Sequence, residues 1–197
     1  MEDTKLKRLI FLSAIAIYVI SSATAVISAW KKGLMPVFEL GYTVSVYVGL
    51  QRSSATFYFF CTLAVAILLL VFILKTGIRT VHKISFIISL LFLIGLSWFP
   101  VQFMNTESPA TKGHAFFSNA FFISVILTLI LLFFFSKKKK VKIYSVAGFL
   151  YGITFVILYV LDPGFFRSFI LIWETVFIYF YIFEYPLADC IGDSKKI

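Results

Sequence analysis

Six stretches of about twenty residues, the length that a bilayer's hydrocarbon core demands of a helix, follow one another along this chain with short charged turns between them. They are residues 9–30, 54–74, 84–104, 115–135, 143–161 and 169–187, and the first five contain no Asp, Glu, Lys or Arg. In lipid, backbone polar groups must be satisfied within the segment, which a helix does. The pattern predicts an all-α polytopic membrane protein: a six-transmembrane-helix bundle that takes up residues 1–197 as a single membrane domain. Composition agrees, because 61% hydrophobic residues and a mean hydropathy of +1.00 exceed the roughly half-apolar make-up of soluble domains.

The first run also fits the grammar of a signal peptide, with Lys5, Lys7 and Arg8 ahead of it and the small Ala23-Thr24-Ala25 within it. Val26 to Trp30 prolongs the apolar stretch, however, and favours a retained span. The net charge of +9 sits in clusters between apolar runs instead of along one soluble face, so it orients the chain and meets anionic headgroups rather than nucleic acid. Thirteen Lys and Arg fall on the side of the N-terminus and five on the other. The positive-inside rule then places both termini in the cytoplasm of a multi-pass cell-membrane protein.

Cys61 and Cys190 have neither paired spacing nor histidine neighbours, so no disulfide framework, metal site or cofactor is expected. The chain has no HExxH, CxxC, GxSxG or Walker loop, and this leans away from an enzyme. The longest connection, 31–53, alternates: apolar Phe38, Leu40, Tyr42, Val44, Val46, Val48 and Leu50 are interleaved with Glu39, Gly41, Thr43, Ser45, Tyr47 and Gly49. That period of two predicts an extended outer segment with one buried face.

The sixth run differs from the rest in carrying Glu174 and Glu184. A carboxylate in mid-span costs about 3 kcal/mol on insertion scales, so Glu174 should face other helices. Arg167 lies seven residues earlier on the same face, about 10 Å away along the axis, and Ile178, Tyr181 and Tyr185 continue that face. Six alternating spans would bring Gln102, Asn105, His114 and Asn119 to the same outer side. Glu184, beside Tyr185 and Pro186, reads as an interfacial anchor within reach of headgroup water. Gly148 and Gly152 form a GxxxG, which admits a close helix neighbour from the same bundle or, in a homodimer, from a second copy.

Phe99-Pro100-Val101-Gln102, a polar turn, and then His114 with Ala115 and Ala120 entering an apolar helix resemble the DRAM/Sfk-like six-helix membrane proteins and their uncharacterised bacterial relatives. Phe38-Glu39-Leu40-Gly41 occupies the place of that family's Ser-Asp-Gly type segment, without the serine. The resemblance implies a non-catalytic membrane domain associated with lipid homeostasis, and it adds Glu39, Gln102 and His114 to the candidate site residues.

These observations converge on an outer-leaflet polar pocket that binds a lipid headgroup or small amphiphile. Arg167 and His114 would hold its anionic part, and Glu174 a cationic or hydroxyl part. Gln102, Asn119, Glu39 and Tyr181 would line the pocket, and the alternating segment would cover it. Two alternatives use the same residues: a proton-coupled transporter or exporter of a small cationic or amphipathic compound with Glu174 as carrier, and an intramembrane enzyme with His114 and Glu174 as acid and base.

Overall fold

The computed structural model describes residues 2–33, 44–50, 52–99, 107–162, 164 and 169–192. Among these residues it contains seven helices and no strand: α1 (Glu2–Lys31), α2 (Val44–Gly49), α3 (Arg52–Leu74), α4 (Thr80–Trp98), α5 (Pro109–Phe135), α6 (Lys139–Leu161) and α7 (Ile170–Gly192). Five of them, α1 and α3 to α6, are long and apolar enough to cross a membrane.

Small residues set the packing of α1. Ala14, Ser21, Ala25 and Ala29 are buried with Ile10 and Tyr18 along one helical stripe, and such a stripe lets the α3 backbone come close. Apolar α3 answers with Val65, Ala66, Leu69, Phe72 and Ile73. The arc continues α3 to α4, α4 to α5 and α5 to α6.

Helix α7 closes this arc by touching every long helix in it through ring contacts. Phe183 meets Phe11 of α1, and Tyr185 meets Phe72 of α3 and Phe86 of α4. Tyr181 and Phe177 meet Phe121 and Phe122 of α5, while Phe180 and Trp173 meet Tyr144 and Tyr151 of α6. Ile172 and Tyr179 on its remaining stripe are exposed.

The α4–α5 hairpin is the tightest joint. A methyl group built on Gly95 would lie 2.3 Å from the Phe117 ring, and one on Gly113 would lie 2.8 Å from Phe99. These two rings stack on each other with centroids 5.5 Å apart. Farther along, Ser85 of α4 hydrogen-bonds Thr128 of α5. Ser89, Ser97 and Ser124 are buried and return their hydroxyls to carbonyls three or four residues back, as hydroxyl side chains in apolar helices commonly do.

Three departures from the sequence expectation have a local cause. The 31–53 connection is helical at Val44–Gly49, not extended. Val44, Tyr47 and Val48 are the buried positions there, at helical spacing, because Tyr47 seats on Ala29 while Val44 and Val48 seat on Ala25. Residues 34–43 of that segment lie outside the described ones. Helix α4 stops at Trp98, short of the expected end, with Phe99 in a non-helical cap, because the residue before a proline is disfavoured in the helical region. Helix α5 begins at Pro109, six residues before Ala115, because Ser108 caps it by accepting the Thr111 N–H at 3.1 Å and proline suits the first helical turn.

Candidate functional site

Two polar clusters lie along α7, one toward each end. The one nearer the start of α7 is called outer and the other inner, after the orientation expected from the charges. The outer one is built from α1, α2, α3 and α7. Glu174 stands in the first turns of α7, and its carboxylate Oε2 accepts the Val44 N–H, at the start of α2, from 2.9 Å. Its side chain is half-buried. Tyr18 of α1 and Tyr58 of α3 both lie in the electrostatic field of Glu174. Around the Tyr58 phenol are the hydroxyls of Tyr18, Ser22 and Thr62. Ser22 Oγ and Thr62 Oγ1 are nonetheless buried without a well-formed hydrogen bond, as is the indole N–H of Trp173 next to Glu174 in the chain. The site thus has one carboxylate, two phenols and hydrogen-bonding capacity to spare.

This composition was only half visible in the sequence. Glu174 stands out as an acid in an apolar run. Its partners are ordinary residues, yet they leave a signal: Tyr18 with Ser22, and Tyr58 with Thr62, form the same tyrosine–hydroxyl pair at i, i+4, and that spacing puts each pair on one helical face.

His114 has other work. Its Nδ1 lies 2.7 Å from the Phe99 carbonyl, which ties α5 to the end of α4. No described contact joins His114 to Glu174. Asn119 is exposed on α5. Glu39, Gln102 and Arg167 lie outside the described residues. Of the expected set, then, Glu174 takes part in the outer cluster, and Tyr181 belongs to the inner one.

The inner cluster contains Glu184, which is 0% exposed, with both carboxylate oxygens lacking a partner among the described residues. That corrects the expectation of an interfacial anchor, since a carboxylate with no exposed surface is out of reach of water. At this level of α7, rings of α3, α4, α5 and α6 pack on its neighbours Phe180, Tyr181 and Tyr185. Tyr144, Tyr181 and Tyr185 lie within its field, and the Tyr181 and Tyr185 hydroxyls pair at 2.6 Å. The GxxxG glycines pack between these clusters: Gly148 faces Leu129 and Phe180, and Gly152 faces Ile126 and Phe177. Their close approach is therefore within the chain, to α5 and α7.

A third feature is an apolar groove between α5 and α6 of about 320 Å³, lined by Leu129, Ile130, Phe133, Phe134, Ser145, Val146 and Phe149. No group of His, Cys, Asp and Glu among the described residues is arranged to hold a metal ion. No protein-family model, curated protein or solved structure matches this chain. The apolar helices are those of an integral membrane protein.

Proposed function

We propose that this protein binds a small cationic or hydroxyl-bearing amphiphile, such as a lipid headgroup, in the outer polar cluster. In this reading α7 is the sixth span, both termini are cytoplasmic, and α2 covers the site. The observation that carries it is the convergence of the Glu174 carboxylate with Tyr18 and Tyr58 beside hydroxyls that lack good partners. A carboxylate supplies charge, and aromatic faces attract alkylammonium groups. Buried hydroxyls and an indole N–H without well-formed hydrogen bonds favour a ligand that completes them.

The protein in nanodiscs containing phosphatidylethanolamine and phosphatidylglycerol, examined by native mass spectrometry, tests this. Retention of the ammonium-bearing lipid, lost in Glu174→Gln, is expected. Equal retention of both lipids by both proteins would overturn it.

A second reading, proton-coupled movement of such a compound, is favoured by one observation, the second acid on α7. Uptake of a short alkyltrimethylammonium into proteoliposomes should then follow an imposed pH gradient and vanish in Glu174→Gln. Acid–base catalysis between His114 and Glu174 draws no support from the described contacts, because the His114 ring is engaged by Phe99.

A further inference from the structure

Glu184 lies ten residues beyond Glu174 on α7, about 15 Å farther along the axis. It is fully enclosed, and neither oxygen has a partner among the described residues. An ionised carboxylate in such a place, without a cation or several donors, is strongly disfavoured, and a neutral acid is the form compatible with this packing. The groups facing it bear this out. From α6 comes Tyr144, and from α7 itself come Tyr181 and Tyr185, all uncharged phenols. From α1, α3, α4 and α5 the faces turned to this stretch of α7 are Phe11, Phe72, Phe86 and Phe121. The nearest titratable groups in the direction of the lysine-bearing end are Arg8 and Lys7 beyond Phe11, Lys75 beyond Phe72, Lys83 and His82 beyond Phe86, and Lys142 and Lys140 beyond Tyr144, each within four residues of the ring named.

A route for change is written two residues on. Pro186 lies inside α7 and has no N–H, so the Ile182 carbonyl has no helical donor at i+4. The helix is weakest there, between Glu184 and the end of the bundle that bears Lys137 to Lys140.

We propose that Glu184 is a proton-binding site. The described conformation is its loaded, neutral state, and the proton leaves to water on the lysine-bearing side when α7 bends at Pro186. The step is a plain ionisation, in which the carboxylic acid gives up one proton and becomes a carboxylate. This site stands whether or not Glu174 binds an amphiphile.

Dicyclohexylcarbodiimide, an apolar reagent that couples to protonated carboxyls, tests it on the full chain in membranes, with the adduct located by peptide mass spectrometry. The expected result is an adduct on Glu184 near neutral pH, with a yield that falls severalfold as the pH is raised and the acid gives up its proton to water. Glu174→Gln should leave that adduct unchanged, which separates this site from the outer one. No adduct on Glu184 at any pH, or the same yield across the range, would overturn the proposal, because a permanently neutral packing acid gives one or the other. Glu184→Gln, close in shape to the neutral acid, should keep wild-type thermal stability; marked destabilisation would also count against a neutral resting state.

Discussion

The Val44 amide and the Glu174 carboxylate, 130 positions apart in the chain, meet at 2.9 Å, and that contact holds α2 against Ala25 of α1 and Tyr58 of α3. It joins the least regular connection of the protein to its central helix.

If the contact holds α2 in place, its loss should be felt there first. A hydrogen bond to a charged acceptor contributes about 1.5–3 kcal/mol. Glu174→Leu should therefore raise hydrogen exchange at residues 44–50 by about tenfold or more while leaving α4 and α5 unchanged. Mass-spectrometric exchange in nanodiscs reads this directly.

His114 and Glu174 should separate by phenotype. Removing the imidazole from Phe99 should cost about 0.5–1.5 kcal/mol of stability, the net worth of a typical hydrogen bond, since this contact is only half-buried. His114→Ala should therefore lower the melting temperature but leave retention of the amine lipid intact, whereas Glu174→Gln should do the reverse.

Glycine positions should differ sharply in tolerance. At Gly95 an added methyl meets the Phe117 ring at 2.3 Å, whereas at Gly152 the nearest atom, on Ile126, is at an ordinary 3.5 Å. Gly95→Ala should destabilise by about 1–3 kcal/mol through overpacking, and Gly152→Ala by much less. Thermal unfolding in one detergent compares the two.

The Ser85–Thr128 bond links α4 to α5 in the bundle's interior. Hydrogen bonds between membrane helices average only about 0.6 kcal/mol, since the unfolded chain also finds partners. Thr128→Val should accordingly shift unfolding only slightly, well below the effect of Gly95→Ala.

What the sequence disclosed and what it withheld divide along physical lines. Hydropathy marked every long helix, because the bilayer fixes their length. It missed the start of α5, although Ser108-Pro109 is a readable cap followed by a first-turn proline. The alternation misled across 44–49 because valines at every second position suit a strand pattern, while the small Ala25 and Ala29 of α1 were there to receive a helix. Glu174 was legible as an acid in an apolar run, but Tyr18 and Tyr58 were not, since tyrosine in a span is usually packing. Glu184 looked interfacial from its nearness to Pro186; only tertiary packing reveals that Phe72, Phe86, Phe121 and Tyr144 enclose that part of α7.

The claim that Glu174, Tyr18 and Tyr58 form a site for a cationic group is met most directly by titrating hexyltrimethylammonium into the nanodisc-embedded protein by calorimetry. Saturable binding at one site is predicted, weakened by about tenfold or more in Glu174→Gln, as loss of a charged partner implies, and reduced also in Tyr58→Leu. Heats no different from those of empty nanodiscs, or binding equally strong in wild type and Glu174→Gln, would contradict it.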